Sequence, residues 1–516
     1  MLTKVWSVAN RGLQALEIEV EVNVAGKGFP GFNIVGLPTK AVEEAKERVR
    51  TAIVNTGIDF PQKKLTVNLA PADIPKEGSA YDLAIAVGVL VGTGEMEWDG
   101  KKRYFYGEVG LDGRLRHTKG VFLLASLAKE KGVKEIFVPK LSANEASVVE
   151  GVKVLPVSSL WQLIRHFKGE KKILALKNID QDRLIKEAEV DFDFNEVVGQ
   201  EQAKRALEIA AAGGHNVLMM GPPGSGKTML ARALPGILPE LTEGEALEVT
   251  KIYSVTGNIE PGGGLIRRRP FRAPHHTTSR MGLIGGGSMP MPGEISLAHR
   301  GVLFLDEFAE YPRSILEALR QPLEDGQVSV VRVAGSLTFP AKFMLVAAAN
   351  PCSCGYYNHP KKQCSCLPGQ IIRYQKRLSG PILDRIDIHV NVPFVEVEKL
   401  RLNTSEVKFS DSSEVVRERV KDARKIQNLR FAGENLPAGR QGIFMNAEMK
   451  NKQIKQFCHL TDDAERLLLK AADKFQISAR GYFRLIKISQ TIADLAGVKE
   501  IGYDHVAEAL QYRVRT

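Results

Sequence analysis

The sequence has few of the features that mark secreted and membrane proteins. Its 516 residues contain five cysteines, too few for a disulfide scaffold. The longest apolar run, near Leu83–Gly92, is too short to cross a bilayer. The first residues, MLTKVWSVANRG, contain neither the apolar core nor the cleavage site of a signal peptide. We therefore predict a cytoplasmic protein with no membrane partner.

The charge is basic and unevenly distributed. Lys and Arg number 71 against 60 Asp and Glu, a net charge of +11. Residues 251–300 contain seven Lys or Arg against two Asp or Glu, and residues 401–516 contain 21 against 15. An excess of positive charge favours a polyanionic partner, although solvated charged faces would give the same count. Apolar residues make up 44% of the chain, as in ordinary globular proteins.

Pattern and composition divide the chain into four regions. Residues 1–170 combine alternating, strand-like runs such as EIEVEVNV with amphipathic helical runs. Residues 171–190 are highly charged and predict a linker. In residues 191–398, strands and helices alternate with glycine-rich turns, which is typical of an α/β domain. Residues 399–516 are mostly helical, with one loop at Ala432–Gly442.

The third region contains a phosphate-binding motif. GPPGSGKT fits G-x-x-x-x-G-K-[ST], and it lies between the apolar run NVLMM and a helical run, as the motif requires. Backbone N–H groups of such a loop hold phosphates, while Lys227 would contact the β- and γ-phosphates and Thr228 would ligate Mg²⁺. The residues predicted to bind the nucleotide are Gly221, Pro222, Pro223, Gly224, Ser225, Gly226, Lys227, Thr228 and Asp306.

Two further apolar runs end in polar side chains suited to catalysis. GVLFLDE ends in two carboxylates, of which Asp306 would hold Mg²⁺ and Glu307 would polarise the attacking water. FMLVAAANP ends in Asn350. The carboxyl end of a parallel strand is where α/β folds bind ligands, so we expect Asn350 to position the water.

Two arginines could complete the site. Arg385, in GPILDRIDIHV, could reach the γ-phosphate of a neighbouring subunit as an arginine finger. The alternative is a surface ion pair with Asp384 or Asp387. Arg480 begins a helical run in the C-terminal region and could cap the phosphates, with Arg484 one turn later as its competitor.

Basic residues are concentrated between Lys227 and Asp306, which are 79 positions apart. This separation is long for a simple connection between two strands. The segment contains glycine runs and His275 and His276, and such a loop suits contacts with a nucleic-acid backbone. Support of the nucleotide site or of a subunit interface is an equal alternative. The basic residues proposed to contact DNA here are Arg267, Arg268, Arg269 and Arg272.

A second basic element precedes Asn350. In QVSVVRVAGSLTFPAKF, two alternating runs flank Ala334 and Gly335, which predicts a β-hairpin. Arg332 lies near the tip and Lys342 at the base, so both could face DNA. An ordinary hairpin at the rim of the domain is the alternative.

Four of the five cysteines form two C-x-C pairs separated by nine residues. Four thiolates suit a tetrahedral Zn²⁺ ion, with His359 as a spare ligand. The C-x-C spacing is tighter than that of most zinc sites, and buried or redox-active thiols are the alternative. Cys458 stands alone and is expected in the core. The paired cysteines are Cys352, Cys354, Cys364 and Cys366.

The motifs together resemble the AAA+ ATPases, and more narrowly the magnesium-chelatase-like ComM/YifB family. RRPFRAPHHTTS, GEISLAHRGVLFLDE, NPCSCGYY and LSGPILDRIDIHV carry a resemblance that extends over essentially the whole chain. It implies a P-loop AAA+ core with a C-terminal helical lid, sensor 1 at Asn350, an arginine finger at Arg385 and sensor 2 at Arg480. It also implies ATP and Mg²⁺ as cofactors, a homo-hexameric ring, a hairpin in the pore, and branch migration or helicase action on DNA.

The N-terminal region resembles an α+β Lon-protease-like domain of the ribosomal S5 domain 2 type, through PADIPKEGSAYDLAIA and GEVGLDGRLRHTKGVFLLASLAKEKGVKEIFVP. The register places Ala80 near the catalytic serine position, next to Ser79, and Phe122 or Leu124 at the lysine position. A serine nucleophile without its lysine base is inactive, so we predict a non-proteolytic domain. Lys119 nearby is the alternative base.

Two other functions remain open. One is the motor subunit of magnesium chelatase, against which the Lon-like domain and the cysteine cluster argue. The other is an ATP-dependent protease or protein-remodelling ATPase, against which the missing lysine argues.

Overall fold

The computed structural model describes residues 1–176, 192–287, 290–332, 335–378, 380–395, 411–432 and 443–513. Most of the predicted linker at 171–190 and of the loop at Ala432–Gly442 lies outside these residues, as does Ala334. No helix within the described ranges is both long and apolar enough to cross a bilayer.

The strands are short in the middle of the chain and longest at its N-terminus. They are β1 (Leu2–Arg11), β2 (Gln14–Val24), β3 (Gly31–Val35), β4 (Lys64–Ala70), β5 (Tyr104–Phe105), β6 (Glu108–Val109), β7 (Leu115–Arg116), β8 (Glu135–Pro139), β9 (Lys153–Val157), β10 (Val217–Met220), β11 (Phe271–Arg272), β12 (Gly285–Gly286), β13 (Met291–Pro292), β14 (Val302–Leu305), β15 (Gln327–Arg332), β16 (Gly335–Pro340), β17 (Met344–Ala349) and β18 (Ile388–Asn391).

Helices alternate with these strands and dominate the C-terminal region. They are α1 (Lys40–Glu43), α2 (Ala45–Asn55), α3 (Asp82–Thr93), α4 (Val121–Glu130), α5 (Ala143–Ser147), α6 (Leu160–Phe167), α7 (Glu201–Gly213), α8 (Lys227–Ile237), α9 (Glu243–Thr256), α10 (Arg280–Ile284), α11 (Glu294–Leu297), α12 (Arg313–Ala318), α13 (Arg320–Asp325), α14 (Pro368–Gln375), α15 (Gly380–Leu383), α16 (Ser413–Phe431), α17 (Asn451–Phe457), α18 (Asp462–Lys474), α19 (Ala479–Leu495) and α20 (Tyr503–Gln511).

The chain forms two compact units. Unit 1 comprises Met1–Glu187, Thr242–Arg267 and Met289–Met291, and unit 2 comprises Ala188–Leu241, Arg268–Ser288 and Pro292–Thr516. The C-terminal helices therefore belong to the same unit as the phosphate-binding loop. The segment 242–267, which the sequence pattern assigned to the ATPase region, belongs to the N-terminal unit. Contacts distant in sequence decide this division, and motif order does not reveal them.

Unit 1 is built on a seven-stranded mixed sheet of order β3-β4-β2-β1-β5-β8-β9. The apolar run that is too short for a membrane forms the buried helix α3, which packs against β1 and β2. Gly88 and Gly92 allow this close packing. A Cβ atom at Gly88 would lie 2.4 Å from Val22 Cγ2, and one at Gly92 would lie 2.8 Å from Val24 Cγ2.

The Lon-like positions in unit 1 lack the arrangement of a serine peptidase. The hydroxyl of Ser79 donates a hydrogen bond to the Glu108 carboxylate. Phe122 and Leu124 are buried in the apolar core, where a lysine base would otherwise lie. Lys119 is exposed, and its backbone carbonyl accepts a hydrogen bond from Tyr106. Among the described residues, no lysine is hydrogen-bonded to the Ser79 hydroxyl, and the non-proteolytic role of this domain stays a prediction.

The inserted segment 242–267 is fastened to unit 1 by buried polar bonds. Helix α9 begins at a capping box formed by Thr242 and Glu245. Farther along it, the Ser254 hydroxyl donates to the buried Glu145 carboxylate at 2.5 Å, and the Ser254 carbonyl accepts from the Gly120 N–H at 3.0 Å. Burial raises the pKa of Glu145, so its hydrogen bonds matter for stability.

Unit 2 contains a five-stranded sheet of order β11-β14-β17-β10-β18, in which each neighbouring pair is parallel. The strands β10, β14 and β17 correspond to the three apolar runs identified in the sequence. Strands β15 and β16 pair antiparallel and confirm the predicted hairpin. The mixed α/β fold class is therefore confirmed. Parallel strands with buried faces explain why these runs are continuously apolar.

We predict that Ser254→Ala destabilises unit 1 by about 1–3 kcal/mol, because it leaves a buried carboxyl group short of a partner. All three tryptophans, Trp6, Trp98 and Trp161, lie in unit 1, so tryptophan fluorescence during urea unfolding reports on this unit alone. The control is Ser158→Ala, at an exposed serine, which should change stability by no more than about 0.5 kcal/mol. Equal urea midpoints for the two variants would contradict the assigned role of Ser254.

Candidate nucleotide-binding site

The phosphate-binding loop connects β10 to α8 through a backbone that requires glycine. Gly224 and Gly226 have φ angles of +77° and +90°, a region that side chains disfavour. A Cβ atom at Gly221 would lie 2.1 Å from the carbonyl oxygen of Val392, which follows β18. The loop is thus a tight turn whose N–H groups precede the N-terminus of α8, the geometry that binds phosphate.

Lys227 is a buried cation whose hydrogen-bond partners are uncharged oxygen atoms. Its Nζ atom donates to the carbonyl oxygens of Gly221 and Pro222, both at 2.8 Å, and lies 3.4 Å from Asn350 Oδ1. Burial lowers the pKa of Lys227, and the Asp306 carboxylate partly offsets this. A lysine so placed favours an anionic ligand in the loop, since neutral carbonyls compensate a buried charge only in part.

The magnesium-binding side chains lie next to each other. Thr228 Oγ1 donates to Asp306 Oδ2 at 2.9 Å, so an octahedral ion could take one oxygen from each. Glu307 follows directly in a left-handed conformation with φ of +50°, and its N–H donates to Asp306 Oδ1 at 2.8 Å. Such strain in a non-glycine residue is common at catalytic sites.

Sequence reasoning missed a partner of Glu307. Nδ1 of His276 lies 3.0 Å from Glu307 Oε2, and the ring of His276 lies 4.1 Å from that of His275. The Tyr311 hydroxyl donates to the carbonyl of Pro274 at 2.6 Å and holds this turn. No sequence signal marks this contact, because it depends on the parallel pairing of β11, which precedes His276, with β14, which leads to Glu307.

The chain is similar to known proteins over nearly its whole length. Family models described as magnesium chelatase subunit ChlI match residues 20–142, 193–400 and, for its C-terminal part, 410–513. Competence protein ComM of Haemophilus influenzae is 44% identical over 99% of this chain and 97% of that protein. The chain belongs to the magnesium-chelatase-like ComM/YifB family.

Other relatives widen this picture. The uncharacterized protein YifB of Escherichia coli is 41% identical over 99% of this chain and 97% of its own length. The DNA replication licensing factor mcm7-B of Xenopus laevis is 26% identical over 51% of this chain and 35% of its own length. Membership of the ComM/YifB family supports ATPase activity for this chain.

Arg385 and Arg480, both predicted to act at the nucleotide, lie close to the same carboxylate, that of Glu324. Arg385 contacts Glu324 Oε1 at 2.5 Å, and Arg480 lies 4.0 Å from the same oxygen with 67% of its side chain exposed. Arg484 is paired with Asp387 at 3.2 Å. Among the described residues, neither Arg385 nor Arg480 is hydrogen-bonded or ion-paired to the phosphate loop.

The basic segment divides into two groups. Arg269 donates to the carbonyls of Pro239 and Arg300, each at 2.7 Å, and Arg272 makes a two-point ion pair with Glu294 at 2.6 and 2.8 Å. Both of these guanidinium groups therefore support the fold of unit 2. Arg268 is exposed and Arg267 is partly buried. Arg332 ends β15, and its side chain lies outside what the structure describes.

The four paired cysteines lie together. Their Sγ atoms are all within 4.8 Å of one another, and Cys352 is buried whereas the others are partly exposed. Nδ1 of His359 instead accepts from the N–H groups of Lys361 and Lys362. Cys458 is buried, as predicted. The cluster follows β17 and Asn350 closely in the chain, and this location places it beside the nucleotide site.

We predict that His276→Ala lowers kcat for ATP hydrolysis by about 10- to 100-fold with little change in KM, because the Glu307 carboxylate loses its orientation. His276→Gln should restore part of the rate, since its amide also donates a hydrogen bond. The matched control is His275→Ala. In the wild-type protein, the Nδ1 atom of His275 lies near the Thr277 hydroxyl instead. Identical kcat values for the two alanine variants would show that His276 has no positioning role.

Proposed function

We propose that this chain is a Mg²⁺-dependent ATPase that forms a homo-hexameric ring and moves DNA, acting as a helicase or in branch migration during recombination. The observation that carries the ATPase part of this proposal is the cluster of Lys227, Thr228, Asp306, Glu307 and Asn350 at one edge of the parallel sheet. The proposed cofactors are ATP with Mg²⁺, and Zn²⁺ bound by the four cysteines.

The reaction follows from the roles of these side chains. Lys227 exchanges its carbonyl partners for the phosphates of ATP, which compensate its buried charge better. Thr228 and Asp306 would hold Mg²⁺, which neutralises phosphate charge when bound. Glu307, held by His276, takes up a proton from the attacking water, and Asn350 orients that water. Hydrolysis then requires a further positive charge at the γ-phosphate.

Arg385 is the proposed source of that charge, from a neighbouring subunit. In the described part of its own chain it is bound to Glu324 and not to the phosphate loop. A closed ring of identical subunits would place one copy's surface at the next copy's site, and we propose that this ring is a hexamer. Because Arg480 shares Glu324 with Arg385, we propose that both arginines leave this carboxylate for the same neighbouring phosphates.

Two observations support DNA as the proposed substrate of the motor. The chain carries a net charge of +11, and exposed Arg268 lies in the basic stretch 251–300. One full-length relative is named a competence protein, and a partial relative is named a DNA replication factor. The hairpin formed by β15 and β16, in which Arg332 is the last residue of β15, is proposed to enter the pore of the ring.

A motor subunit of magnesium chelatase is the second candidate, because the three matching family models carry that description. Stimulation of ATP hydrolysis by a porphyrin, and not by DNA, would favour it. Proteolysis is disfavoured, because Ser79 is bound to Glu108 and the lysine position is apolar.

We predict that DNA stimulates ATP hydrolysis by the purified chain, most strongly with four-way junctions, and that the stimulation falls as salt rises because phosphate contacts release counterions. Single-stranded and duplex DNA complete the series, and Lys227→Ala gives the blank. Arg268→Ala should reduce the slope of log affinity against log salt by about one, whereas Arg466→Ala, at an exposed arginine of α18, should leave it unchanged. An ATPase indifferent to all three DNAs would exclude the DNA motor.

We predict that subunits carrying Arg385→Ala and subunits carrying Lys227→Ala are each inactive alone and regain part of the ATPase activity when mixed. A mixed ring contains interfaces at which an intact phosphate loop faces an intact Arg385, provided that the arginine acts between subunits. The measurement is ATPase rate against mixing ratio, with sedimentation to verify ring formation. Activity that stays at zero at every ratio, in rings of normal size, would place Arg385 in its own subunit's site.

A further inference from the structure

We propose that Cys352, Cys354, Cys364 and Cys366 form a structural zinc site whose occupancy holds the phosphate-binding loop in its nucleotide-binding geometry. The metal site follows from the cluster alone. Only its effect on nucleotide binding rests on the proposed ATPase function.

The distances between the sulfur atoms match a single tetrahedral ion. Thiolate ligands lie about 2.3 Å from Zn²⁺, so ideal tetrahedral geometry separates the sulfurs by about 3.8 Å. Here Cys352 and Cys354 are 3.4 Å apart, Cys354 and Cys364 are 3.5 Å apart, and Cys352 and Cys364 are 3.8 Å apart. All four sulfurs lie within 4.8 Å of one another. A disulfide needs about 2.0 Å between sulfurs, and all four cysteines are free.

The ligand set also selects the metal. Four soft thiolates in a tetrahedral arrangement favour Zn²⁺ or an iron–sulfur cluster over magnesium or calcium. In a [4Fe–4S] cluster each thiolate binds a different iron atom, which requires a wider spacing than this group shows. The Cys352 sulfur also accepts the backbone N–H of Tyr357 at 3.3 Å. Such N–H donors around a metal-bound thiolate offset its charge and orient it.

The cysteine segment lies against the phosphate-binding loop. Gly355, between the two C-x-C pairs, has a φ angle of +82°, and a Cβ atom there would lie 2.5 Å from Cδ of Pro223. The same atom would lie 3.9 Å from Cγ of Asn350. Gly355, directly after the first C-x-C pair, therefore packs against both the phosphate loop and Asn350.

Metal binding would stabilise this packing by closing a loop of chain. The first pair follows β17 and the second precedes α14, so one ion joins the two ends of the segment 352–366. Closing a flexible loop removes conformational freedom that the segment would otherwise retain, and metal affinity becomes folding free energy. Without the ion, the segment would lose its fixed position against Pro223, and ATP affinity would fall.

The first experiment measures zinc directly in the full-length protein purified under reducing conditions. Elemental analysis should give one zinc per chain, and a thiol reagent should release it. Cys352→Ser and Cys364→Ser should abolish the bound zinc, whereas Cys458→Ser, at the one cysteine outside the cluster, should retain it. Cobalt substitution should produce the absorption of a tetrahedral thiolate site. Wild-type protein with no zinc and five titratable thiols would overturn the proposal.

The second experiment separates metal binding from its effect on the nucleotide. Gly355→Ala keeps all four cysteines but introduces a methyl group against Pro223 at a disfavoured φ angle. It should retain one zinc per chain and bind a fluorescent ATP analogue about tenfold more weakly. The cysteine variants should lose ATP affinity to at least a similar degree while circular dichroism shows that they remain folded. Zinc-free variants with wild-type ATP affinity would overturn the coupling. Zinc in a protein that neither binds nor hydrolyses ATP would defeat the proposed ATPase function but not the metal site.

Discussion

Parallel pairing of β14, β17 and β10 is the constraint on which the nucleotide site depends. Their registers bring Leu305 beside Ala347 and Met220 beside Ala349, so the carboxyl ends of the three strands meet at one edge. The phosphate loop, the two acidic residues and Asn350 each follow one of these ends. A shift of this pairing would separate Lys227 from Asn350 and Thr228 from Asp306.

The edge of the sheet also explains how neighbouring elements take part in the site. Strand β11 pairs with β14 on the far side and leads to the turn that presents His276 to Glu307. The cysteine segment begins where β17 ends, and Gly355 returns it to the phosphate loop. Side chains with different chemistry, a carboxylate, an imidazole and a cluster of cysteines, thus converge because parallel strands all end on the same side.

Unit 1 includes a segment from the middle of the chain. A segment between the phosphate loop and Asp306 leaves the ATPase sequence and completes the packing of unit 1, where Glu145 and Gly120 bind Ser254. The Lon-like positions are filled by apolar side chains and a serine bound to Glu108. The buried hydrogen bonds of Ser254 and Glu145 in this unit contribute to its stability. Residues 242–267 lie between α8 and β14 in the chain, so unit 1 cannot be removed without interrupting the ATPase sequence.

Local sequence motifs predicted much of the candidate site. The phosphate loop, the apolar strands, the hairpin β15–β16 and the pairs of cysteines could be predicted from sequence, because each depends on neighbouring residues and on the period of a strand or helix. Tertiary structure alone decided that Arg385 and Arg480 share Glu324, that Arg269 and Arg272 support the fold, that His276 holds Glu307, and that residues 242–267 join unit 1. Each of these depends on a partner that is distant in the chain, and a single sequence contains no measure of that distance.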